Sequence, residues 1–134
     1  MKDFVTFEIA KKLKEKGFRK PCVATYDDND MLGYNYYQPK RIHAVSFDDC
    51  LCASDDLVLA PTISQVLKWL REKYIDIAAY PIFTYEPNLN RIYETEIHTP
   101  QLNKLVKLGY YRTWEEAITE GIYYAITKLK LNKI

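Results

Sequence analysis

Only four glycines, three cysteines and two histidines occur among the 134 residues, and the charges nearly cancel, with 19 Lys and Arg against 18 Asp and Glu. Each scarcity narrows the field. Gly17, Gly33, Gly109 and Gly121 are scattered singly, so no glycine-rich phosphate cradle is possible. A Walker loop, a G-x-G-x-x-G dinucleotide turn and a G-x-S-x-G nucleophile elbow are all missing. Cys22, Cys50 and Cys52 are odd in number and irregularly spaced, which reads as free thiols in a reducing compartment rather than a disulfide framework. The longest nearly apolar run, 77–83, falls far short of the roughly 20 residues that span a bilayer. Met1-Lys2-Asp3-Phe4 leads straight into an amphipathic pattern without an apolar leader, so the expectation is a soluble cytoplasmic protein with no membrane partner. A formal net charge of +1 speaks against a dedicated duplex-DNA binder, whose affinity rests on neutralising phosphates.

What is present is an ordinary globular composition, 48% hydrophobic and 28% charged, with twelve tyrosines as its one oddity. A chain of this length suits a single domain, 1–134, that buries roughly two-thirds of its unfolded surface. Charge is uneven locally. Residues 11–20, "KKLKEKGFRK", hold six basic side chains and one acid, while Asp27, Asp28, Asp30, Asp48, Asp49, Asp55 and Asp56 crowd the following third. Such polarity is either solvated helix and loop surface or a face that steers a partner.

Periodicity places three helices. In the first, Val5, Ile9, Ala10 and Leu13 share a face, Gly17 supplies a left-handed stop, and Phe18 can fold back on the last turn. The second, 60–74, opens with the capping box Thr62-Ile63-Ser64-Gln65 and buries Ile63, Val66, Leu67, Leu70 and Tyr74, with Trp69 beside the stripe. The third, 112–130, opens with the capping box Thr113-Trp114-Glu115-Glu116 and buries Trp114, Ala117, Ile118, Gly121, Ile122, Ala125 and Leu129. Gly121 costs about 1 kcal/mol relative to Ala inside a helix. Ala117, Gly121 and Ala125 form a ridge of small residues at steps of four, which predicts close approach to a sheet or another helix.

Strand signals lie between the helices. "CVATY", the polar turn 27–30 and "MLGYNYY" read as one hairpin; "IDIAAYPIFTYE", the turn 87–90 and "RIYETEIH" read as a longer one. Pro81 belongs at an edge, a bulge or a strand end, since it cannot donate to a ladder. The expected fold is α+β, three helices packed on an antiparallel sheet of two hairpins in the order α-ββ-α-ββ-α, with 38–60 and 99–112 read mainly as loop. A faint echo, "LKEKGF" at 13–18 against "LREKYI" at 70–75, ends a helix ahead of each hairpin.

The search for chemistry assigns no catalytic residue, no metal site and no cofactor. Asp28, Asp30 and Gly33 match three places of a calcium loop, but Leu32 and Pro39 occupy places that need oxygen ligands. Cys50, Cys52 and His43 are the right ligand types for zinc without the paired spacing of a structural site. Glu94 and Glu96 would lie on one face of a strand, either as a carboxylate pair for acid-base work or as a solvated strand side. The stretch "LGYNYYQPKRIH" holds the candidate binding residues Tyr34, Tyr36, Tyr37, Lys40 and Arg41. Aromatics beside cations suit base stacking with phosphate contact, and also suit a protein interface. Tyrosine equally fits a strand edge, with its ring buried and its hydroxyl wet.

The run Ala60-Pro61-Thr62 with Gln65, then Trp69-Leu70-Arg71-Glu72-Lys73, together with "FEIAKKLKEKGF" (7–18) and "WEEAITEGIYYAI" (114–126), resembles a family of small single-domain proteins from gut-anaerobe genomes and their prophages or other mobile elements. The resemblance spans nearly the whole chain. It implies one intracellular domain in a phage-linked setting and brings no activity, catalytic residue or cofactor. The functional expectation is an interaction or regulatory domain that binds another protein or itself. The alternative is a weak single-stranded nucleic-acid module built on the tyrosine stretch and residues 11–20. An enzyme assembled from positions far apart in sequence is the third class.

Overall fold

The computed structural model describes residues 3–27, 31–34, 36–37, 41–42, 58–82 and 92–131. The chain forms two compact units, 1–63 and 64–134. Its helices and antiparallel sheets make it an α+β fold.

In the first unit, α1 (Phe7–Glu15) begins at Thr6, whose hydroxyl accepts the Ile9 amide at 3.3 Å. Val5, Ile9, Ala10 and Leu13 are all buried, as their spacing predicts. The helix ends at Gly17, with φ +88°, where the Phe18 amide reaches back to the Leu13 carbonyl at 2.9 Å and the Gly17 amide to Lys14 at 3.2 Å. This pair of bonds closes the last turn, and Phe18 is buried against it. The expected hairpin is present: β1 (Ala24–Tyr26) pairs with β2 (Leu32–Tyr34), and the Asp27 carboxylate accepts the Met31 amide at 3.0 Å across the turn. A third strand, β5 (Val58–Leu59), joins the other side of β1, giving the order β2-β1-β5, and α1 packs on β5. Tyr26 donates its hydroxyl to the Val5 carbonyl at 2.6 Å and meets Phe7 edge to face at 5.4 Å between ring centres. A separate short ladder joins β3 (Tyr36–Tyr37) to β4 (Arg41–Ile42).

Helix α2 (Ile63–Arg71) starts directly after Thr62. Ile63, Val66 and Leu70 are buried as expected, whereas Leu67 is half-buried and Trp69 is buried rather than peripheral. Tyr74 is not part of the buried stripe. It is 58% exposed, because the helix has already stopped and Tyr74 itself adopts φ +60°.

The second hairpin is also present and longer: β6 (Asp76–Ile82) pairs with β7 (Ile92–His98) in the register Asp76↔His98 through Ile82↔Ile92. β8 (Val106–Tyr111), in a stretch expected to be mainly loop, adds to the far side of β7. The expectation of one sheet made from two hairpins is therefore corrected: the described strands form two three-stranded sheets and the β3–β4 ladder. β5 is too short to show a period, and β8 carries a bulge that breaks its alternation. Pro81 lies in β6, an outer strand, where a missing donor is tolerated.

Helix α3 (Trp114–Lys128) begins at Thr113, whose hydroxyl accepts the Glu116 amide at 3.1 Å. Ala117, Ile118, Gly121, Ile122, Ala125, Ile126 and Leu129 are buried, while Trp114, expected on that face, is 38% exposed in the first turn. The small-residue ridge meets the sheet. A Cβ on Gly121 would lie 2.5 Å from Ile77 Cγ2 and 2.9 Å from Thr95 Cγ2. Thr95, fully buried, donates its hydroxyl to the Ala117 carbonyl at 2.6 Å and ties β7 to the helix. Among the described residues no helix is long and apolar enough to cross a membrane.

Candidate interaction surface

The contacts of Gly121 and Thr95 with α3 decide which side of the β6-β7-β8 sheet is covered. Side chains alternate along a strand, and directly paired positions share a face. Ile77, Thr95 and their same-phase neighbours Ala79, Tyr93 and Ile97 therefore face α3. Asp76, Ala78, Tyr80, Glu94, Glu96 and His98 fall on the side turned away from it. The β7–β8 register carries these positions onto the third strand: Glu96 pairs with Lys107 and Glu94 with Tyr110. Between those pairs the register slips from Tyr110 to Leu108, so Gly109 is the extra residue of a bulge.

The outer face is thus laid out in rows across three strands. One row is Tyr80–Glu94–Tyr110, the next Ala78–Glu96–Lys107, and Asp76–His98 follows. The outer tyrosines of the first row are 47% and 70% exposed, whereas the Glu94 and Glu96 side chains between the strands are only 19% and 17% exposed. Lys107 Nζ lies 4.0 Å from a Glu94 oxygen and 3.9 Å from a Glu96 oxygen, so one ammonium is shared by two carboxylates. His98 Nε2 stands 3.4 Å from the other Glu96 oxygen. The arrangement is a shallow, acid-floored strip with aromatic margins.

Among the described residues, two phenols with displaced titration belong to other places. Burial raises the Tyr26 pKa, and Tyr111, on the α3 side of β8, is raised by burial and then by the Glu120 carboxylate.

The residues singled out in the tyrosine stretch are divided by the fold. Tyr34 ends β2, opposite Ala24, while Tyr36 and Tyr37 belong to β3 in a different ladder. That ladder places Tyr37 opposite Arg41 and Tyr36 opposite Ile42. Lys40, His43, Cys50 and Cys52 lie outside the described residues, as do Asp28 and Asp30. Cys22 is buried outside any disulfide, and its thiol donates to the Lys20 carbonyl at 3.3 Å. Among the described residues no group of three or more His, Cys, Asp or Glu is placed to hold a metal.

Alternation along 92–98 already puts Glu94 and Glu96 on one face, and the structure keeps them there. Tyr80, Lys107 and Tyr110 were missed, because the signal that assembles them is the register among three strands. The bulge at Gly109 hides the third strand's phase. No family model matches the chain, and no curated protein or solved structure matches it either.

Proposed function

We propose that the protein is an interaction module whose binding surface is the outer face of the β6-β7-β8 sheet, engaging another protein or a second copy of itself. The observation that carries this reading is the Tyr80–Glu94–Tyr110 row, in which two exposed rings flank a carboxylate. Tyrosine is over-represented at binding hot spots because a rigid ring buries much area at small entropic cost. The setting in a phage or other mobile element rests on the resemblance of 7–18, 60–73 and 114–126. Display selection of peptides against the immobilised protein tests the surface. Selected binders should lose at least about tenfold in affinity on a Tyr80→Ser/Tyr110→Ser variant that keeps its circular dichroism. Binders indifferent to both substitutions would move the function elsewhere.

A second reading has one observation in its favour. The β3–β4 ladder sets Tyr37 opposite Arg41, the pairing of aromatic and cation that single-stranded nucleic acid uses. Anisotropy of labelled single-stranded oligonucleotides should then fall steeply with salt and with Tyr37→Ala or Arg41→Ala. Absence of binding at tens of micromolar, a weak limit even for non-specific contacts, would remove this reading.

A further inference from the structure

We infer that the occupant of the outer sheet face is an arginine side chain carried by a partner protein, its guanidinium seated over Glu94 between Tyr80 and Tyr110 and in competition with Lys107. The inference rests on the interaction reading above and names the chemistry of its partner.

Charge comes first. Among the described residues of the three strands, Asp76, Glu94 and Glu96 place three carboxylates on this face against the ammonium of Lys107 and the imidazole of His98. The face therefore carries a negative excess that repels a phosphate backbone and attracts a cation. Geometry comes second. Lys107 Nζ stands 3.9 and 4.0 Å from the carboxylate oxygens, beyond the roughly 2.7–2.9 Å of a charge-assisted hydrogen bond. The ammonium thus screens both acids as a point charge, and among the described residues Glu94 meets no cation closer than Lys107 at 4.0 Å.

The margins select the kind of cation. Neighbouring strands lie about 4.8 Å apart, so the outer strands that carry Tyr80 and Tyr110 are roughly 10 Å apart with Glu94 between them. A guanidinium is flat, stacks on a ring and donates two parallel bonds to one carboxylate, whereas an ammonium does none of these as well. The more enclosed acids and the more exposed rings are placed in the order such a group meets them: ring contact at the rim and paired hydrogen bonds at the floor.

The competition makes the inference testable in a direction that ordinary surface stickiness does not share. Fluorescence anisotropy would compare labelled Gly-Ser peptides that carry Arg, Lys or Glu at alternate positions, titrated with the whole chain at about 20 and 200 mM salt. The expected order is Arg tighter than Lys, with no binding of the Glu peptide. Glu94→Gln should weaken the Arg peptide by about fivefold or more, while Lys107→Met should tighten it several-fold by removing the resident cation. Urea midpoints of both variants show whether each still folds, and Tyr110→Ser supplies a second loss-of-binding variant away from the charges. Tightening by Lys107→Met combined with loss by Tyr110→Ser supports the inference. Unchanged or weaker binding with Lys107→Met, or equal affinity for Arg and Glu peptides, overturns it. Should display-selected peptides without arginine still depend on Tyr80 and Tyr110, the interaction reading stands without this partner. Independence of both tyrosines removes both.

Discussion

Tyr74 holds a backbone conformation that an L side chain resists, and it does so where the chain has already shown the unstrained solution. At the end of α1 the left-handed position is Gly17, φ +88°; at the end of α2 it is Tyr74, φ +60°. A Cβ in this region costs roughly 1–2 kcal/mol, offset in part because glycine loses about 0.5–1 kcal/mol more backbone entropy on folding. Little packing compensates at Tyr74, whose side chain is mostly exposed. Tyr74→Gly should therefore stabilise the protein by about 0.5–1 kcal/mol, and Gly17→Ala should destabilise it by a similar amount. Urea unfolding reads both as opposite shifts of the midpoint at constant slope. A lower midpoint for Tyr74→Gly would sink the strain argument and mean that the ring stabilises the fold.

Among the elements, the echo between 13–18 and 70–75 has a structural explanation. In both helices the amide following the left-handed residue reaches back five positions, Phe18 to Leu13 and Ile75 to Leu70, and the left-handed residue's own amide reaches back three. Phe18 and Ile75 are both buried at the equivalent place. One capping motif used twice accounts for the matching letters without a duplicated fold. Signals of this local kind were legible: the stop at Gly17, the Thr113 cap, both hairpins and the small-residue ridge of α3. β5 and β8 were not, since they exist through pairing with distant strands, and β8 also carries the Gly109 bulge. The ridge yields the sharpest test of packing. Gly121→Ala gains about 1 kcal/mol of helix propensity, yet its methyl would press on two β-branched side chains that have little rotamer freedom. Thr95 is further held by its bond to the Ala117 carbonyl. Overpacking of this kind costs about 1–3 kcal/mol, so the substitution should lower stability by up to about 2 kcal/mol. A rise in the thermal midpoint would show that α3 can lift off the sheet at negligible cost.

For the whole molecule, near-neutral composition revealed nothing of where charge and rings gather. The Glu94 and Glu96 pair was readable from alternation, but its tyrosine margins and shared lysine needed the register of three strands. The same large tyrosine content bears on the alkaline response, and two phenols with displaced titration lie among the described residues. Tyr26 lies in 1–63 and is raised by burial; Tyr111 lies in 64–134 and is raised by burial and then by Glu120. A raised pKa means that the folded chain keeps its proton where the unfolded chain, titrating near 10.0, has lost it. The stability associated with each group is therefore fully present below about pH 10 and is lost as pH climbs through the folded value. Lysines titrate in the same range, so the wild-type slope alone does not isolate the phenols. Tyr26→Phe and Tyr111→Phe do. Each should flatten the fall of the urea midpoint above about pH 10, and the double variant should flatten it most. Tyr26→Phe should also start lower by about 1 kcal/mol, because the Val5 carbonyl loses its 2.6 Å partner. Parallel curves for all four proteins would show that neither phenol keeps its proton longer in the folded state than in the unfolded one.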